Sequence, residues 1–173
     1  MQVNEVVLGN VCSLGAMVAD SISGRKKDPK EILTAQTISQ VFWTAGSLIL
    51  KGYSASVQNI IGILRNIASI RKINNRALEW TLILSGVVLG IAFNNRGLFG
   101  WLPIIANLEY SIAVFRFRDS EKNLKLCFLA GVILFMIYDF IILNYVGFVA
   151  NIIVAISTLT SLKKGSGKSS QDL

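Results

Sequence analysis

Histidine is absent from the 173 residues, cysteine and proline occur twice each, and 10 acidic side chains face 17 lysines and arginines. Without histidine the chain lacks a usual zinc ligand and the usual base of a nucleophilic triad, so neither a metal nor a cofactor is expected. Cys12 and Cys127 lie in separate apolar runs, which argues against a disulfide scaffold. The carboxylates do not cluster on one face, so an intramembrane enzyme ranks last among the readings. A phosphate loop is missing too. The tail KKGSGKSSQDL has a GKS, but Leu162 stands where a glycine is required five residues before Gly167.

What is abundant is apolar surface: 53% of residues are hydrophobic and mean hydropathy is +0.57, which makes the bilayer the expected solvent. Apolar runs recur along nearly the whole chain, whereas a secretory signal is a single short one, so no cleaved targeting segment is expected. Runs bounded by charge, Gly, Asn or Pro predict seven helices near 3–23, 32–50, 53–71, 78–93, 98–117, 124–143 and 146–162.

The net charge of +7 does not point to nucleic acid, because the cations sit in short loops and not along one helix face. Four such loops, GRKKDPK, RKINNR, RFRDSEKNLK and KKGSGK, hold 14 of the 17, and they are every second connection. The positive-inside rule then puts the N-terminus outside and the C-terminus in the cytoplasm, as an odd number of spans requires.

A gapless offset of 92 residues pairs 43–72 with 135–164, with eight of 30 positions identical, among them Tyr53 and Tyr145, Asn59 and Asn151, Ser69 and Ser161. The same offset lays the first basic loop over the third. The expected fold is therefore an all-α polytopic membrane protein, seven transmembrane helices arranged 3+1+3 with two parallel three-helix repeats. Its divisions are 1–72 for the first repeat, 73–94 for a linker helix, 95–164 for the second repeat and 165–173 for a disordered cytoplasmic tail. In the linker helix Gly86 and Gly90 form a GxxxG, a weak packing signal.

On the third helix Ala55, Asn59, Gly62, Asn66 and Ser69 form one small and polar stripe; on the seventh the counterparts are Gly147, Asn151, Val154, Thr158 and Ser161. The second helix offers Gln36, Gln40, Trp43 and Ser47 on one face, the sixth Phe128, Val132, Phe135 and Asp139. Trp43, Asn59, Phe135 and Asn151 are thus candidate substrate-binding residues, because amides both donate and accept while aromatics grip an apolar ring face. Gln40, Asn66, Asp139 and Thr158 are candidate lining. The competing reading is that Asn, Ser and Gly only join helices, at about 0.6 kcal/mol per interhelical hydrogen bond. Intramembrane charges are few: Asp20, Arg65, Glu109 and Asp139. Arg65 and Glu109 fall at similar depth and are expected to pair as an inner ion pair, since an unpaired charge there costs at least about 2.5 kcal/mol. Asp139 is open between a proton-coupling carboxylate and polar lining.

A three-one-three chain with an aromatic on the second and an Asn on the third helix of each repeat resembles the SWEET, PQ-loop and PnuC (MtN3-like) transporter superfamily. Within it, FWTAGSLILKGYSASVQNIIGILRN, from Phe42, is similar to the YgjV-type bacterial inner-membrane proteins, with their G-x-Y hairpin followed by small residues, Asn and Arg. The resemblance implies a central pocket at Asn59, Asn151, Trp43 and Phe135. Sugar-transporting members bend their helices at prolines in both triplets, whereas here only Pro103 falls within a span. The expected function is a transporter or facilitator of a small polar solute, sugar or nucleoside-like, in the bacterial inner membrane. The alternative is a non-transporting scaffold or assembly protein; the lipid bilayer and a small polar solute are the expected partners, and an oligomer is open.

Overall fold

The computed structural model describes residues 2–168, and within them the chain forms seven α-helices: α1 (Val3–Arg25), α2 (Pro29–Ile49), α3 (Tyr53–Ile70), α4 (Arg76–Ala92), α5 (Trp101–Arg116), α6 (Glu121–Ile141) and α7 (Tyr145–Lys168). A single 3₁₀ turn, Gly97–Gly100, leads into α5. All seven expected helices occur, with ends shifted by a few residues. α7 runs to Lys168, so residues 165–168 of the expected tail are helical, and 169–173 lie outside the described residues.

Local chemistry starts the helices that leave the basic loops. Asp28 accepts from the Lys30 amide at 3.2 Å with Pro29 in the first turn, Asn75 accepts from the Ala77 and Leu78 amides, and Ser120 accepts from the Asn123 amide. Each side chain satisfies donors that the first helical turn leaves unpaired.

Four helical segments are long and apolar enough to cross a membrane: Val3–Arg25, Gly97–Arg116, Glu121–Ile141 and Tyr145–Lys163. α2 and α3 are diluted by Gln, Asn and Ser, and α4 has 17 residues. Those polar residues point inward. Ser39, Ser54, Gln58, Asn66 and Arg65 are buried, while Ile38, Phe42, Leu64, Leu84 and Val88 are exposed. This is a soluble protein's pattern reversed, as a lipid solvent demands.

The helices close into a ring. α1 packs on α2, α2 on α3, α3 on α5, α5 on α6, α6 on α7 and α7 back on α1, while α4 lies against α3 and α5. α4 can approach closely because Gly86 and Gly90 carry no side chain: the Gly86 carbonyl accepts from Gln58 of α3 at 2.8 Å, and a Cβ on Gly90 would meet Ile104 of α5 at 2.8 Å.

One turn occurs three times: after α3, where Lys72 adopts φ 51° and the Ile73 amide reaches the Ala68 carbonyl at 3.0 Å, and at two sites 92 residues apart. After α2, Lys51 adopts φ 57° and the Gly52 amide reaches back to the Ser47 carbonyl at 2.8 Å; after α6, Leu143 adopts φ 64° and the Asn144 amide reaches the Asp139 carbonyl at 2.9 Å. All three are left-handed C-terminal caps built without glycine at the left-handed position.

Candidate functional site

Inside the ring lies a cavity of about 70 Å³, room for a few water molecules. Each of the six ring helices contributes to its wall and α4 does not. Along α2 the lining residues, Gln36 to Ser47, fall between Leu33 and Leu50; along α5, Ala106 to Tyr110 fall between Leu102 and Ala113; along α6, Phe128 to Asp139 fall between Leu124 and Ile142. These flanking residues belong to two apolar clusters. Leu33, Tyr110, Ala113, Val114 and Leu124 flank one end of the cavity, and Leu50, Ala55, Tyr138 and Ile142, with Leu102 and Phe135, flank the other. Past Leu33 opens a groove of about 240 Å³ edged by Lys30, Lys72 and Arg118 together with Asp28 and Asp119.

Three formally charged side chains are buried in the cavity wall. Asp20, on α1, accepts from Ser39 Oγ at 2.5 Å and from Trp43 Nε1 at 2.8 Å, so it also fixes the indole. Asp139, on α6, accepts from Asn151 Nδ2 at 2.8 Å and Asn144 Nδ2 at 3.0 Å, and Asn144 Oδ1 in turn accepts from Ser13 Oγ at 2.8 Å, joining α1, α6 and α7. Arg65, on α3, donates from Nε to Asn66 Oδ1 at 3.0 Å and from Nη1 to Asn107 Oδ1 at 2.8 Å and Ser111 Oγ at 3.1 Å. Its guanidinium lies 4.7 Å from the centre of the Tyr110 ring, and the Tyr110 hydroxyl donates to Gln36 Oε1 at 2.7 Å.

The expected Arg65–Glu109 ion pair is not formed: among the described residues Arg65 has no carboxylate within 4.0 Å. The reason is angular. Asn107, Tyr110 and Ser111 occupy the face of α5 turned to α3, and Glu109, two residues past Asn107, projects about 200° away at 100° per residue. Matching depth was the wrong criterion because it ignores azimuth.

Trp43, Asn59, Phe135 and Asn151 all line the cavity, with Gln40, Asp139 and Arg65. Asn66 and Thr158 do not: Asn66 donates to the Leu33 carbonyl at 3.5 Å, and Thr158 Oγ1 donates to the Val154 carbonyl of its own helix at 2.9 Å and sits under Gly24. The two asparagines of the sequence repeat also differ. Asn151 is committed to Asp139, whereas Asn59, 6% exposed, has no hydrogen-bond partner among the described residues.

A family model described as a bacterial inner membrane protein, Imp-YgjV, matches residues 7–168. The chain belongs to this family. No match was found among the curated proteins or among the solved structures. For this Imp-YgjV protein the cavity adds residues that sequence reasoning left unassigned: Asp20, Gln36, Gln58, Asn107 and Tyr110. Asn107 and Ser111 stand four apart on the fifth span, and the stripe test applied to the third span would have found them. Gln58 had no comparable signal, since it lies beside Asn59 but bonds Asn107 and the Gly86 carbonyl at 2.7 and 2.8 Å.

Proposed function

We propose that this inner membrane protein moves a small polar solute by alternating access, with Trp43, Asn59, Phe135 and Asn151 contacting it. One observation carries the reading. A cavity walled by six helices is lined by Asn59, which makes no hydrogen bond among the described residues, and by Gln36 Nε2 and Gln40 Oε1, which are buried without partners, and buried amide groups rarely go unpaired. A scaffold whose polar residues only joined helices would fill that space. The apolar clusters at both ends suit an occluded state in which either end opens in turn.

The 3+1+3 reading with parallel repeats is supported by the ring itself. Exchanging α1 with α5, α2 with α6 and α3 with α7 maps each ring contact onto another ring contact, and two of the three copies of the left-handed turn, at Lys51 and Leu143, stand at the repeat spacing. On this reading all seven helices span, α4 reverses the chain, the N-terminus is outside, and the groove edged by Lys30 and Arg118 is the cytoplasmic mouth. Membership of the SWEET, PQ-loop and PnuC superfamily is part of the same proposal.

Uptake into proteoliposomes, screened across sugars, nucleosides and organic or amino acids, tests it. The expected result is a solute that crosses with the intact chain and loses most of its flux with Asn59→Ala. Equal flux through the variant, or no flux of any solute, defeats the pocket assignment.

A further inference from the structure

Arg65, Asp20 and Asp139 are at most 4% exposed, line one cavity, and have only neutral partners among the described residues. Charges withdrawn from water and left without a countercharge are costly, and intramembrane ones are normally paired or solvated. Here they are of both signs in a single space. The hydrogen-bond inventory on the cationic side is also incomplete. Arg65 Nη2 and Gln36 Nε2 are buried donors without acceptors, and they flank the same tyrosine: Arg65 stacks on the Tyr110 ring and Gln36 accepts from its hydroxyl. Two free N–H donors beside a guanidinium ask for an oxygen anion. The carboxylates each accept two bonds from neutral donors, which leaves lone pairs for a cationic donor.

We propose that the cavity takes a small zwitterion, its carboxylate held by Arg65 and Gln36 and its ammonium by Asp20; Asp139 is out of reach of the same ligand, eleven residues or about 16 Å along α6 from Phe128, whose ring packs on Tyr110 beside Arg65. The inference rests on the solute-binding reading of this cavity and narrows it to a substrate class. One ligand then supplies both missing countercharges. A sugar supplies neither, and a simple amine or a simple carboxylate supplies one while worsening the balance at the other pole. The modest volume favours a solute of few heavy atoms, such as a small amino acid.

The test is equilibrium binding to the full chain in lipid nanodiscs, comparing glycine, alanine and 4-aminobutyrate with ethylamine, propionate and glycerol. At least one zwitterion is expected to bind about tenfold or more tightly than its single-charge analogues, the scale of one lost hydrogen bond to a charged group. Arg65→Gln should abolish the advantage over ethylamine, and Asp20→Asn should abolish the advantage over propionate. The analogue comparison uses the unaltered chain, so an Arg65→Gln variant that fails to fold leaves the test intact. Binding of no zwitterion, equal binding of glycerol or of a single-charge analogue, or indifference to Asp20→Asn overturns the proposal. Uptake separates it from the transport reading. If zwitterions bind and none crosses, transport fails and the site stands; if a sugar or nucleoside crosses while zwitterions neither bind nor cross, the site fails and transport stands.

Discussion

Asn59 and Asn151 are twins in sequence with different bonding, and that difference predicts different phenotypes. Asn59→Ala removes no hydrogen bond among the described residues, so thermal stability in detergent should change by no more than about 0.5 kcal/mol while solute flux collapses. Asn151→Ala strips a donor from buried Asp139 and should cost about 1–3 kcal/mol, read as a lower Tm, whatever it does to flux. Arg65 gives the second residue-scale prediction. Because Glu109 faces away, the double reversal Arg65→Glu with Glu109→Arg should not restore the folding or uptake lost in Arg65→Glu; rescue would mean that the two side chains meet. The sequence made the four cavity positions legible because stripes at helical spacing say which side of a helix is polar. It left the partners of Arg65 illegible, since spacing within one helix carries no information about how its neighbour is rotated.

At the scale of helices, the apolar runs predicted how many there are but put three starts at 32, 78 and 124, past the observed Pro29, Arg76 and Glu121, because the caps Asp28, Asn75 and Ser120 stand before the apolar run begins. The ring order could not be read, because which helix lies beside which depends on side-chain shape over long sequence separations. The glycines of α4 acquire meaning only in that packing. Gly90→Val puts atoms where Ile104 already is and should push α4 off α5 at a cost of about 1–3 kcal/mol, detectable as a lower Tm with α3 and α5 otherwise intact. The repeated turn gives the opposite sign. Leu143→Gly removes a side chain from a left-handed position at φ 64° and should raise stability by about 1 kcal/mol.

The molecule as a whole turns its polar residues inward and its apolar ones outward, and hydropathy alone anticipated that reversal. The alternation of basic loops adds a prediction about orientation. In a chain carrying Cys12→Ser and Cys127→Ser, Asn95→Cys should react with an impermeant thiol reagent on intact cells, while Lys122→Cys should react only after the inner membrane is breached. The opposite pattern would invert the topology.

The two apolar clusters that flank the cavity have an electrical meaning as well. A bacterium keeps its proton gradient only if every protein in the inner membrane insulates, and a water-filled path through this ring would short-circuit it. On the transport reading, Leu33 with Leu124 and Leu50 with Ile142 would serve as two seals in series. Thinning one seal, as in Leu33→Ala, should leave the gradient intact, whereas Leu33→Ala combined with Leu50→Ala should discharge it. The cell would then notice this protein first for the current it lets through.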